Sequence, residues 1–261
     1  MTDSLSVRDA IDTLSSEPLR HIVLLKQLLA YPDSVRVHRV AGAAGTAMLV
    51  ALDVAASSYD RQTYPGAALA AFISSDDPDL TASLLRHLPR DVGIVFKLSG
   101  EADLAPVAAQ FPVERRTAFV SFSSAATFQP DSGIRVTSRP GDAAFRLFAE
   151  QGHERSWLEP MLRAGSAFAC VAGDDDDETP SACIAFENYR SVWEVGGVVT
   201  APAQRRKGHA ARVVATALAE LSARRLTPRY QVEEHNTASI RLARTIGLVP
   251  FLTIVHYAHE R

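Results

Sequence analysis

Between residues 131 and 261 the apolar positions change period block by block, from the twofold alternation of strands to the 3.6-residue spacing of helices. Apolar runs at 134–138, 167–172, 181–189, 192–200, 229–233 and 251–257 predict strands. The second and third of these flank an acidic turn at 173–178 and predict a hairpin. Helices are predicted at 141–151, 155–164 and 208–225. In the last of them Val213, Ala217 and Leu221 share a face with Val214 and Leu218. Arg224 and Arg225 suit its C-terminal end, where the backbone dipole favours cations. Asn236 predicts the N-cap of a further helix that ends at Gly247, with Ile240, Ala243 and Ile246 facing inward.

The first half follows a similar order. Residues 17–30 predict an amphipathic helix, and strands follow at 35–40, 47–54 and 69–74. Helix is predicted at 79–88, strand at 92–98, helix at 103–111 and strand at 117–122. Ser, Gln, Pro, Asp and Gly cluster at 123–133, which reads as a connection. The expected organisation is two similar α/β domains, 1–130 and 131–261.

Composition adds limits. The chain has 261 residues, 47% of them hydrophobic, enough for a substantial core. A net charge of -3 gives no bulk attraction to nucleic acid or to an anionic membrane. The first 14 residues carry acidic groups and no apolar core of a signal peptide, and the small-residue run 41–56 is broken by Asp53. Two cysteines, Cys170 and Cys183, make no disulfide framework and read as buried thiols of a reduced, soluble, cytoplasmic protein. Asp174 to Asp177 lack the alternating ligands and the glycine of a calcium loop, so a solvated turn is expected.

The most informative stretch joins the strand at 192–200 to the helix at 208–225 through Arg205, Arg206, Lys207 and Gly208. Amides at a helix start lack partners and carry partial positive charge. Three cationic side chains add full charges there, and Gly208 lets backbone approach an oxygen-rich ligand. A site for a phosphorylated ligand is expected. The corresponding junction in the first half, Ser74 to Asp79, is acidic and lacks glycine, so the same ligand is not expected there.

Arg205-Arg-Lys-Gly208-His-Ala210, preceded by Val198-Val-Thr200 and Pro202, resembles the Arg/Gln-x-x-Gly-x-Gly/Ala signature of the GNAT superfamily of acyl-CoA-dependent N-acyltransferases. Asn236-x-x-Ser239-x-x-Leu242 running to Gly247-Leu248 is similar to that family's fourth helix. The resemblance covers about residues 131–261, and the first half resembles the family only in the order of its elements. It implies an α/β fold of the α+β type: a mixed, mostly antiparallel twisted sheet flanked by helices, in tandem copies.

It also implies a reaction, transfer of an acetyl group from acetyl-CoA to a primary amine with no metal. Val198, Val199 and Thr200 would pair with the pantetheine arm, and Arg205, Arg206, Lys207, Gly208, His209 and Ala210 would cradle the pyrophosphate, with Asn236 and Ser239 beside them. Glu194, a carboxylate inside an apolar strand, is the expected base, and Gly196-Gly197 after it an expected bulge. Glu233, Glu234 and His235 read as solvated loop residues, with Glu233 or His235 as an alternative base or a contact to the substrate amine. The family's usual tyrosine acid falls at Ala243 here, so Tyr257 first, or else His256, Tyr230 or His209, would substitute, or the thiolate would leave without a protein acid. An acyl-CoA-binding sensor without turnover is the alternative reading. The expected partners are acetyl-CoA and an amine acceptor, not nucleic acid or membrane, with a homodimer left open.

Overall fold

A computed structural model describes residues 2–173 and 179–260, so the acidic turn at 174–178 lies outside the described residues. The elements, in order, are β1 (Thr2–Ser4), α1 (Val7–Leu14), α2 (Ile22–Ala30), β2 (Val35–Gly42), β3 (Gly45–Asp53), α3 (Ser58–Thr63), β4 (Leu69–Ser75), α4 (Pro78–Leu84), β5 (Ile94–Leu98), α5 (Leu104–Gln110) and β6 (Glu114–Ser123). They continue with β7 (Ile134–Thr137), α6 (Asp142–Ala149), α7 (Arg155–Ala164), β8 (Ala167–Ala172), β9 (Ser181–Tyr189), β10 (Val192–Thr200), α8 (His209–Ala223), β11 (Thr227–Glu233), α9 (Thr237–Thr245) and β12 (Val249–His259). The fold is of the expected class, a mixed and mostly antiparallel sheet arrangement flanked by helices. Among the described residues, no helix is long and apolar enough to cross a membrane.

The chain forms two units, residues 2–120 with 252–260 and residues 121–251. In the first, strand order is β1-β2-β3-β4-β5-β12-β6. β2, β3 and β4 form an antiparallel meander, and β4 runs parallel to β5 after the α4 crossover. Leu49, Ile73, Phe96 and Phe111 centre a core to which α4 and α5 contribute Leu84 and Val107. The expected division at 130/131 had the last strand closing the second domain. Instead Val255 to His259 pair antiparallel with Leu98 to Ile94, which satisfies the edge of β5 that β4 does not cover. The helix expected at 17–30 begins only at Ile22, and α1, whose N-cap Ser6 accepts from the Asp9 amide at 3.1 Å, was not anticipated.

In the second unit β7, β8, β9 and β10 are successive antiparallel neighbours, and β10 runs parallel to β11 after the α8 crossover. α6 and α7 cover one face through Phe145, Phe148, Leu158 and Leu162, packed on Ala169, Ile184 and Phe186. Side chains alternate across a strand, so Cys183 points to the opposite face, where its thiol donates to the Val213 carbonyl of α8 at 3.4 Å. Cys170 and Cys183 are both buried and free, directly opposite each other on β8 and β9. Asp131, in the expected connection, is fixed to α8 by Arg212 at 2.6 and 2.9 Å, and its amide donates to Thr216 Oγ1 at 3.1 Å.

Candidate active site

β10 and β11 are paired over three rungs only, Val192, Trp193 and Glu194 against Thr227, Pro228 and Arg229. Beyond Glu194 and Arg229, β10 continues to Thr200 and β11 to Glu233 without pairing to each other, which opens a fork. A bulge accompanies the opening. On the β9 side the register steps from Gly196 opposite Ile184 to Val199 opposite Ala182, one residue extra in β10. Gly197 takes a left-handed φ of +56°, and a Cβ on it would lie 2.9 Å from Ile184 Cγ1 and 3.0 Å from His153 Cδ2. Glycine is therefore required at 197 by both backbone and space.

The expected loop follows β10. Arg205 Nε donates back to the Thr200 carbonyl at 3.2 Å, and Lys207 Nζ donates to Gln204 Oε1 at 2.9 Å. Arg206 and Gly208 both have left-handed backbones, φ +62° and +83°. The Arg205 amide donates to Pro202 O at 3.4 Å, and the Arg212 amide donates to Gly208 O at 3.2 Å. The amides of 206–211 have no backbone acceptor among the described residues. Nothing lies within 4 Å of the position a Gly208 Cβ would take. Open donors, cationic side chains and a bare glycine at a helix start fit a diphosphate.

Val198, Val199 and Thr200 line the unpaired part of β10. Val199 is buried against α6 and α7, and its carbonyl accepts from Ser181 Oγ at 2.7 Å. Thr200 Oγ1 meets the same hydroxyl at 2.9 Å. His209 opens α8 with a buried Nδ1 that has no partner. Asn236 and Ser239 belong to the start of α9. Asn236 Oδ1 caps that helix by accepting from the Ser239 amide at 3.0 Å, and Ser239 Oγ accepts from the Tyr230 hydroxyl at 3.3 Å. Asn236 Oδ1 is thus engaged in capping α9, and Ser239 Oγ in joining α9 to β11.

Glu194 stands at the base of the fork. Its Oε2 accepts from Arg229 Nη1 at 3.0 Å and from Asn188 Nδ2. Arg229 is almost fully buried, at 1% exposure, and also donates through Nη1 to Asn188 Oδ1 at 3.4 Å and through Nε to Ser121 Oγ at 3.2 Å. Burial pulls this guanidinium below the usual arginine range, and the Glu194 charge opposes that pull. Glu194 Oε1 lies 3.9 Å from the position of a Gly196 Cβ, which Phe186 Cε1 approaches to 3.5 Å. One carboxylate oxygen is held and the other lies beside Gly196.

Tyr257 belongs to the first unit. It lies on β12 opposite Phe96 and packs against the core of the first unit. His256 lies there too, its Nδ1 2.6 Å from the Tyr64 hydroxyl. Tyr230, buried, is held above its usual pKa by desolvation. Glu233, Glu234 and His235, at the end of β11, bring one donor atom each within 4.8 Å of one another, with His235 exposed. Sequence reasoning missed Arg229, Asn188 and His153. A lone arginine at the start of an apolar strand, facing a lone glutamate in another, was the available signal for the first; the others had none.

The first unit has the same crossover but a closed junction. β4 and β5 pair over five rungs, Leu69 to Ile73 against Ile94 to Leu98. Asp77 Oδ1 caps α4 by accepting from the Asp79 amide at 2.7 Å, and Asp76 accepts from the Thr46 amide and pairs with Arg20. Carboxylates there occupy the helix start that the second unit leaves open.

The family described as acetyltransferase (GNAT) family matches residues 137–248. No curated protein matches the sequence. Among solved structures, a Drosophila protein is similar at a TM-score of 0.61 and 13% identity, covering 99% of this chain and 98% of that one. A GCN5-related N-acetyltransferase of Kribbella flavida is similar at 0.56 and 17%, covering 98% and 95%. A tandem GNAT protein of the clavulanic acid biosynthesis pathway is similar at 0.55 and 13%, covering 100% and 98%. At these identities the likeness is one of fold.

Proposed function

We propose, from the premise that the chain belongs to the acetyltransferase (GNAT) family and is an acyltransferase of that type, that it transfers an acetyl group from acetyl-CoA to a primary amine of a small molecule or peptide. The observation that carries this reading is the fork of β10 and β11 ending at an α8 start whose amides 206–211 are unpaired. Acetyl-CoA supplies an acyl group activated as a thioester. Arg205, Arg206, Lys207 and the amides through Ala210 hold its diphosphate. The unpaired edge of Val198 to Thr200 receives its amide-bearing arm as an added strand.

Glu194 Oε1 holds the acceptor's ammonium at the base of the fork. The amine must lose a proton before its nitrogen can attack, and water exclusion between the strands strengthens the charge contacts involved. A backbone amide of β10 polarises the thioester carbonyl. The thiolate is the better leaving group, because a thiol is far more acidic than an amine N–H.

The buried Ala243, where the family's usual tyrosine acid would fall, favours a second reading, binding without turnover. A thiol-release assay with acetyl-CoA separates the two. The panel is amino acids, polyamines, aminoglycosides, arylalkylamines and peptides with free N-termini. Amine-dependent release supports transfer; tight binding with no release on any amine supports the sensor.

A further inference from the structure

Resting on the acetyl-transfer reading, we propose that His153, in the turn between α6 and α7, takes the proton from the acceptor amine, with Glu194 as its counter-charge. Gly196 and Gly197 form a floor without side chains. Glu194 Oε1 lies 3.9 Å from the Cβ position of the first, and His153 Cδ2 lies 3.0 Å from that of the second. The carboxylate oxygen left open by Arg229 and Asn188 and the imidazole therefore stand over consecutive residues at the base of the fork.

The ring is held from two sides. It stacks on Trp157 of α7, with centroids 5.3 Å apart and planes 28° apart, and Trp157 in turn meets Phe186 edge-on at 5.5 Å. The His153 amide donates to the Phe148 carbonyl at 3.1 Å, which fixes the turn. Neither ring nitrogen has a partner among the described residues, and neither is a buried orphan, so both keep solvent access. Trp157 is itself 43% exposed and offers an apolar wall beside the floor for the acceptor's body.

The charges around the ring are few. Glu194 faces it from β10, with Arg229 of β11 behind that carboxylate, and β9 presents the apolar Ile184. Glu154 and Arg155 neighbour it in the chain, and Arg155 is turned to Asp142 at 2.9 Å and to the Phe145 ring. Burial holds the imidazole below its usual pKa while the Glu194 charge pulls the other way. It is neutral at pH 7, which is the form a base requires.

The step balances. An ammonium acceptor gives one proton to a His153 ring nitrogen and becomes an amine. Its nitrogen forms the C–N bond as the C–S bond breaks, and the nitrogen's second proton neutralises the departing thiolate. The imidazolium, stabilised by Glu194, returns its proton to water.

The test uses the full chain and the best amine of the panel above. His153→Gln and His153→Phe are compared with wild type, the second keeping a ring to stack on Trp157. We expect kcat/KM to fall by about 100-fold or more in both, and acetyl-CoA affinity by isothermal titration to stay within threefold. The acid limb of the wild-type pH profile, centred below 6.5, is expected to vanish in both and to move to lower pH in Glu194→Gln. Activity within threefold of wild type in His153→Phe, or an acid limb that persists in it, overturns the assignment and leaves acetyl transfer standing. Wild-type protein inactive on every amine overturns the acetyl-transfer reading, and the His153 role with it.

Discussion

Glu194 and Arg229 face each other on the last rung that joins β10 to β11, and their side chains meet at 3.0 Å as the strands part. The pair closes the base of the fork and holds one carboxylate oxygen, leaving the other beside Gly196. Removing one partner of a buried pair leaves an uncompensated charge, at a cost of about 3–5 kcal/mol. Glu194→Gln is expected to destabilise the second unit on that scale. Glu194→Gln with Arg229→Met is expected to cost less than the two single changes summed, a coupling measured by a denaturation double-mutant cycle. Additive costs would mean the pair has no such role. Turnover in Glu194→Gln is expected to fall at least 30-fold, while acetyl-CoA affinity changes little.

Gly196 and Gly197 are adjacent but differ in what they tolerate. A Cβ at 196 would sit 3.5 Å from Phe186 Cε1, an ordinary contact, whereas at 197 it would strike Ile184 and the His153 ring on a left-handed backbone. Gly197→Ala is expected to cost about 1–3 kcal/mol by thermal or denaturant unfolding. Gly196→Ala is expected to cost under about 1 kcal/mol. It narrows the space beside Glu194 Oε1, so its KM for the amine is expected to rise several-fold with acetyl-CoA affinity unchanged. Equal stability of the two variants would contradict the bulge geometry.

The first unit carries an acid-sensitive contact. His256 is 4% exposed, and burial, helped by the Lys97 charge, pushes its pKa down to about 3. Lys97 is itself buried and paired with Asp60 at 2.5 Å. The unfolded chain protonates this histidine near pH 6.5, while the folded form resists until about pH 3. Its contribution is therefore constant above pH 6.5 and is lost progressively as pH falls through that window, a total on the order of 5 kcal/mol. Unfolding measured at pH 7, 5 and 4 is expected to show wild type losing more stability than His256→Gln. Parallel losses would show that the residue does not titrate this way.

Much of the second unit was legible because each segment had a single period and clear ends. The α8 face of Val213, Val214, Ala217, Leu218 and Leu221 is buried as read, Asn236 caps α9, and Gly247 ends it with φ +85°. The loop from Arg205 to Gly208 was readable because charge, glycine and helix start coincide within a few residues. What lay between elements was not readable. Period 2 places Glu194 on a face but cannot say that Arg229 is its rung partner, since register depends on how many residues the α8 crossover consumes. The destination of β12 was hidden likewise, because its apolar pattern suits a strand in either unit, and with it went the placement of Tyr257. His153 gave no signal because a single histidine in a turn becomes meaningful only through the bulge at Gly197.

The central claim is that the loop and α8 start grip the diphosphate of a coenzyme A thioester. Isothermal titration of acetyl-CoA into wild type, Gly208→Ala and Gly208→Glu tests it most directly, with thermal unfolding run on each to confirm folding. Both substitutions share the left-handed strain at φ +83°, so only the added charge and bulk distinguish them. Saturable one-to-one binding to wild type, with Gly208→Glu weakened at least 100-fold and well beyond Gly208→Ala, is the expected result. Equal affinity in the folded Gly208→Glu protein, or no binding to wild type, would contradict it.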